Sequence, residues 1–234
     1  MPYAEVGDIR LYYELQGEGP PVVLLPGLGA DTRLFSSIVP LLASGHQLIV
    51  LDPRGAGRSD KPTGRYTIGQ MADDVAGLLG TLGIARAHVM GYSMGGKIAL
   101  QLAADHPALV DRLVLAATAA RPPVTRPLSW RWLMVDVLPK IPGLRKVDGQ
   151  PSYAFEAQRQ ASASFDGRRL LPRVTARTLI IRARRDRVVP GRDTAELQGI
   201  PGSSLVDLPG GHLTLVVMHG AALAGAISTF LDGT

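Results

Sequence analysis

Residues 87–103 read AHVMGYSMGGKIALQLA, which joins an apolar run to a glycine-rich turn and then to a segment with apolar residues at helical spacing. The run Ala87–Met90 has the length and composition of a strand that is buried on both faces. Ile98, Ala99 and Leu102 would share one face of the following helix. A strand that enters a helix through a tight turn is the repeating unit of a parallel α/β sheet.

The same unit recurs along the chain. Residues 71–82 have helical spacing, and the alternating start, residues 4–13, predicts an antiparallel hairpin at one sheet edge. Further strands are predicted at five short apolar runs bounded by turn residues: Val22–Leu25, Leu48–Leu51, Leu113–Ala116, Thr178–Ile181 and Ser204–Asp207. Since strands alternate with helices, we predict an α/β fold with a doubly wound, mostly parallel sheet.

Residues 121–172 break this alternation. The segment contains seven prolines, which predict short helices, and we interpret it as a short helical lid inserted above the carboxyl ends of the strands. Residues 1–120 and 173–234 would then form the core. The part from Arg121 to Arg177 has nine Arg and two Lys against four acidic residues, a net charge of +7. Such a segment could attract an anionic substrate or an acidic partner, or could simply face water.

Composition excludes several classes of protein. The 234 residues include no cysteine, which rules out disulfide scaffolds, cysteine metal sites and cysteine nucleophiles, and 46% are hydrophobic, too many for a disordered chain. The amino terminus lacks a signal-peptide pattern, and no apolar run reaches the length of a membrane span. We therefore expect a cytoplasmic protein with neither a membrane nor a nucleic-acid partner.

The turn Gly91-Tyr92-Ser93-Met94-Gly95 matches the G-x-S-x-G nucleophile elbow at the predicted junction of strand and helix. Glycines at 91 and 95 permit a very tight turn, and the serine hydroxyl projects from a strained backbone. Ser93 also opens a helix, whose free N–H groups favour developing negative charge. Ser93 is the candidate nucleophile.

A serine nucleophile needs a base, and the base needs a carboxylate that fixes its tautomer. Of five histidines, His212 alone follows a predicted strand on a glycine-containing loop, so we expect it to be the base. Asp186, which follows the preceding strand, is the expected acid. Asp52 is the competitor, although its surroundings predict a turn held by side-chain hydrogen bonds.

An oxyanion would require donors that are already in place. We expect the backbone N–H groups of Met94, directly after the serine, and of Leu28, in the loop Pro26-Gly27-Leu28-Gly29. Candidate substrate-binding residues are Gly27, Tyr92, Trp130 and Met134, with packing inside the lid as the alternative for the last two.

Taken together, these motifs resemble those of the α/β-hydrolase superfamily over nearly the whole chain apart from the insertion. The resemblance is to the small bacterial enol-lactonases, carboxylesterases and cofactor-free perhydrolases, and it implies a Ser-His-Asp triad. Three features depart from the pattern: Pro26 stands where histidine is usual, Ala183 and two arginines precede the acid, and the lid is short.

We therefore expect a serine hydrolase that cleaves a small, possibly anionic ester or lactone through an acyl-enzyme, without a metal or organic cofactor. One alternative is a lyase or synthase of the same fold that uses Ser93 and His212 as a base, because residues 91–97 also resemble the elbow of the menaquinone-pathway synthase. Another is a thioesterase or binding protein for an acidic carrier protein. The sequence leaves the oligomeric state open.

Overall fold

A computed structural model describes residues 2–122 and 150–233, and one mixed sheet organises them. The strand order is β1-β2-β4-β3-β5-β6-β7-β8, in which β1, β2 and β4 pair antiparallel and the rest pair parallel. The strands are β1 Tyr3–Val6, β2 Ile9–Gln16, β3 Pro21–Leu25, β4 Gln47–Leu51, β5 Ala87–Tyr92, β6 Val110–Ala116, β7 Arg177–Ala183 and β8 Ser204–Leu208.

Helices cover both faces of this sheet. The described α-helices are α1 Val39–Leu42, α2 Ile68–Thr81, α3 Met94–Asp105, α4 Ser152–Ser164, α5 Gly191–Ala195, α6 Thr214–Val217 and α7 Gly220–Leu231. Successive residues of a strand point to opposite faces, so Val23 and Leu25 pack against α2 and α3, whereas Val22 and Leu24 pack in the second core, with α1 and α7.

The parallel strands place their carboxyl ends along one edge, and the loops that follow β3, β5, β7 and β8 meet there. In open α/β sheets ligands bind at this edge. Helix α4 lies above it, since its Phe155 ring contacts Gly29 in the loop after β3. The fold therefore brings the motifs predicted to carry chemistry to one side of the molecule.

The α/β fold and its mostly parallel sheet are confirmed. Each predicted strand is present, and the largest differences are of three residues: β2 continues through Gln16, β6 begins at Val110, and β7 is longer by one residue at its start and two at its end. Part of the predicted lid, residues 123–149, lies outside the described residues, so the domain division stays a prediction. Within the described ranges, no helix is long and apolar enough to cross a bilayer.

Candidate active site

The nucleophile elbow occupies the junction between β5 and α3. Ser93 has φ 55° and ψ −116°, a conformation that is strained for a residue with a Cβ. Its backbone is fixed from both sides, because its N–H donates to the Ala116 carbonyl (3.0 Å) and its carbonyl accepts from the Thr118 hydroxyl (2.7 Å). A side chain at Gly95 would put a Cβ 2.1 Å from the Leu25 carbonyl oxygen, so only glycine fits there.

His212 and Asp186 stand beside this serine. The Nε2 atom of His212 is 2.9 Å from Ser93 Oγ, and its Nδ1 atom is 2.8 Å from Asp186 Oδ2. A carboxylate can only accept, so Nδ1 carries the proton and Nε2 accepts from the serine hydroxyl. The second oxygen, Asp186 Oδ1, accepts from the backbone N–H groups of Val188 and Val189, both at 2.8 Å. These bonds hold the carboxylate in place, and the side chains of His212 and Asp186 are only 5% and 2% exposed.

The competing candidates lie elsewhere. Asp52 accepts the backbone N–H groups of Thr32 (2.8 Å) and Arg58 (2.7 Å), and burial raises the pKa of its carboxyl group, so it joins two loops as its surroundings predicted. His219 directly precedes α7. Each remaining histidine lies beside an aspartate: His46 beside Asp232, His88 beside Asp111 and His106 beside Asp73.

The two backbone donors expected for the oxyanion belong to different elements. Met94 is the first residue of α3, and Leu28 lies in the turn after β3, where a Cβ on Gly27 would be 3.3 Å from Ser93 Cβ. Among the hydrogen bonds of the described residues, neither Met94 N–H nor Leu28 N–H has a protein acceptor. Free donors at a helix start and an adjacent turn can receive an anion.

The loop that carries Leu28 is held from above by Gln158 of α4. The Gln158 side chain is completely buried, its Oε1 accepts the Gly29 N–H at 3.1 Å, and its Nε2 donates to the Arg54 carbonyl at 2.7 Å. The sequence analysis missed this residue, because a glutamine within a proline-rich insertion carries no motif. The only signal is its position on the same helical face as Ala154 and Ala161, which are also buried.

The expected substrate-binding residues have mixed outcomes. Tyr92 is 2% exposed and donates its hydroxyl to the His212 carbonyl oxygen, and its ring centroid lies 5.3 Å from that of the imidazole. Burial raises the pKa of this phenol well above its usual value, so it stays a donor. Tyr92 therefore packs against the His212 ring and holds the His212 backbone in place. Gly27 lies against Ser93, whereas Trp130 and Met134 fall outside the described residues.

A small pocket opens beside Ser93. Its walls include residues of α3, α4 and the loop after β7: Ser93, Met94, Lys97, Ser162, Val188 and Val189. Lys97 is a second residue that the sequence analysis did not assign to the site, although a lysine inside an otherwise apolar helix was a visible signal. Within the described ranges, no cluster of three or more metal-ligating side chains is present.

Comparison with known proteins gives consistent matches. The model of the α/β hydrolase fold family matches residues 20–148, just over half of the chain. The enol-lactonase from Burkholderia xenovorans LB400 superposes with a TM-score of 0.89 at 29% identity, covering 99% of this chain and 100% of that one. A thermophilic esterase from Thermogutta terrifontis gives 0.83 at 26% identity, covering 96% and 93%. A protein named "Putative carbamate hydrolase RutD" from Azorhizobium caulinodans is 29% identical over 240 residues, covering 90% of this chain and 91% of that protein.

Proposed function

Because this chain belongs to the α/β hydrolase family and is an enzyme of that type, we propose that it cleaves a carboxylic ester or lactone through an acyl-enzyme on Ser93. The observation that carries the proposal is the continuous hydrogen-bond chain from Ser93 Oγ through His212 to Asp186, with steps of 2.9 and 2.8 Å. A serine hydroxyl becomes a nucleophile at neutral pH only when such a base removes its proton.

In the first half-reaction, Ser93 Oγ attacks the carbonyl carbon while its proton passes to His212 Nε2. The bond to the leaving oxygen then breaks, and His212 returns the proton to that oxygen, which departs as the alcohol or, from a lactone, stays attached as a free hydroxyl. In the second half-reaction, water gives a proton to His212 and attacks the acyl-enzyme. The bond between the acyl carbon and Ser93 Oγ then breaks, His212 returns its proton to Oγ, and the carboxylic acid is released.

Asp186 acts through His212. Its carboxylate accepts a hydrogen bond from Nδ1–H, which keeps Nε2 free to act as the base, and it stabilises the imidazolium formed during attack. The side chain is nearly excluded from water, which strengthens this interaction. The backbone bonds from Val188 and Val189 keep the carboxylate oriented.

The oxyanion of each tetrahedral intermediate would be held by Leu28 N–H and Met94 N–H. Their lack of protein acceptors among the described residues supports this role, since a donor aimed at developing charge must be free in the resting enzyme. The positive end of α3 adds to the stabilisation, because Met94 is its first residue.

The test is labelling with a fluorophosphonate probe combined with hydrolysis of p-nitrophenyl acetate. We expect stoichiometric labelling of Ser93 and a 10³- to 10⁶-fold loss of turnover in Ser93→Ala, the range typical of triad knockouts. Ser37→Ala is the control for loss of a serine hydroxyl, because the Ser37 hydroxyl donates to the Val216 carbonyl oxygen and is not part of the chain from Ser93 to Asp186. Hydrolysis that survives Ser93→Ala unchanged would refute the assignment.

Two further experiments separate the alternatives. A lyase or synthase that uses Ser93 only as part of a base would leave no acyl-enzyme when rapidly quenched during turnover of its substrate. A carrier-protein thioesterase would show association with an acidic carrier that weakens as salt is raised.

A further inference from the structure

Lys97 is a buried cation in the wall of the pocket beside the nucleophile. It is 6% exposed and lies on α3, four residues after Ser93. Among the described residues its Nζ has one hydrogen-bond partner, the backbone carbonyl of Ser162 at 2.7 Å. An ammonium group has three N–H donors, so two of them have no acceptor in the part of the chain that the structure describes.

No described carboxylate forms an ion pair with this ammonium group. Burial without a compensating charge lowers the pKa of Lys97 to about 8. Other charges in the pocket are already paired: Arg121 bonds Glu196 at 2.8 Å, and the buried Asp193 lies 3.5 Å from Arg192. The ring of Phe165 lies 5.8 Å from Nζ and stabilises part of this charge, but it is not an anion. Among the described residues of this wall, Lys97 is therefore the cation that has no anionic partner and can bind one in a ligand.

We infer that Lys97 binds a carboxylate group of the substrate, which makes the substrate a half ester of a dicarboxylic acid or a lactone that carries a free carboxylate. This inference rests on the proposed function and names its substrate class. Lys97 and Ser93 line the same pocket, so a carboxylate bound by the ammonium group would belong to a molecule whose carbonyl can reach the serine.

The alternative role for Lys97 is purely structural. The Ser162 carbonyl belongs to the last turn of α4, where carbonyls lack helical partners and a cation is stabilising. A lysine that served only to hold α4 would alter the stability of the fold without changing the preference among substrates. The two roles therefore predict different measurements.

The first measurement is of kcat/KM, with hydrolysis monitored by pH-stat titration. It compares two half esters, monomethyl succinate and monomethyl glutarate, with two neutral esters, methyl butyrate and methyl valerate. In Lys97→Met we expect the preference for half esters over neutral esters to fall by about 10- to 100-fold, the usual worth of a hydrogen bond to a charged group. Activity on the neutral esters should fall much less than activity on the half esters, because a neutral ester has no carboxylate for Lys97 to bind.

Matched variants control for net charge and for folding. Arg177→Met removes one positive charge from an exposed residue at the start of β7, the end of the strand that lies away from the candidate active site. It should leave the half-ester preference unchanged. Lys97→Gln gives a second uncharged side chain, in case methionine packs poorly. Thermal unfolding of each variant checks that it is folded.

The second measurement is independent of turnover. Calorimetric titration of Ser93→Ala with succinate and glutarate should give binding that weakens at least 10-fold in Ser93→Ala/Lys97→Met. Unchanged binding together with an unchanged half-ester preference would overturn the inference, as would an equal loss on charged and neutral esters. Lys97-dependent binding without any ester cleavage would instead refute the proposed function and leave the carboxylate site in place.

Discussion

The contact between Gln158 and the loop after β3 gives a sharp test of how the site is held. Gln158 satisfies two backbone groups, Gly29 N–H and the Arg54 carbonyl, from a fully buried position. In Gln158→Leu the side chain keeps its bulk and loses both polar atoms. Leaving the buried Arg54 carbonyl unpaired costs about 1–3 kcal/mol, and leaving the part-buried Gly29 N–H unpaired costs about 1 kcal/mol, so we expect the unfolding free energy to fall by about 2–4 kcal/mol. For a chain of this size that corresponds to a decrease in Tm of about 5–15 °C.

The same substitution should slow catalysis. Gly29 follows Leu28, whose N–H is the proposed oxyanion donor, so releasing Gly29 lets that donor drift from its position. Complete loss of an oxyanion donor costs roughly 10²- to 10³-fold in kcat, and a displaced donor should cost about 10-fold with KM little changed.

The assay is urea unfolding together with steady-state hydrolysis of one neutral ester at a temperature where the variant is fully folded. Gln160→Leu is the matched control, because this glutamine lies two residues along α4 and is exposed. A kcat for Gln158→Leu that equals that of the control, despite a large loss of stability, would mean that the contact only stabilises the fold and does not position Leu28.

Three further outcomes are expected. Asp186→Asn should lower kcat by about 10⁴-fold, because the amide stabilises the wrong tautomer of His212; circular dichroism should show an unchanged fold, and a loss under 10-fold would contradict the role. Gly95→Ala should prevent folding, because its Cβ would overlap the Leu25 carbonyl oxygen, and soluble protein with normal Tm would show that the elbow can relax. The pKa of Lys97 is lowered to about 8 in the folded state, so the unfolded chain binds more protons than the folded chain between about pH 8 and the ordinary lysine pKa. As the pH is raised through that window, the unfolding free energy of the wild type should therefore increase relative to that of Lys97→Met, measured by urea unfolding. Plots of unfolding free energy against pH that run parallel for the two proteins would contradict this.

Much of the fold could be predicted because its signals are local. The run Ala87–Met90 and the apolar face of residues 98–103 each specify one element, and the glycines between them specify the turn. The right-handed crossover rule then assembles such units into one sheet. The extent of β6 was harder to predict, since Asp111 and Arg112 interrupt its apolar pattern although both lie in the strand.

The structure brings together the three residues expected to form the triad, because each follows a strand that ends at the same edge of the sheet. Gln158 and Lys97 could not be assigned in this way. The contacts of both side chains depend on how α4 packs against α3 and the loop after β3, and no short-range sequence pattern specifies that packing. The role of Tyr92 was also unpredictable, since its contact with the His212 carbonyl joins residues 120 positions apart.

The hydrogen bond between Gln158 and Gly29 has a consequence for protein engineering. Inserted segments of hydrolases are attractive units to exchange when a new substrate range is wanted. Here, a replacement for α4 that lacks a glutamine at this position would leave Ser93, His212 and Asp186 intact. The loop after β3, which Gln158 holds through Gly29, would then be poorly anchored. Chimeras should therefore retain Gln158 or exchange residues 26–29 together with α4.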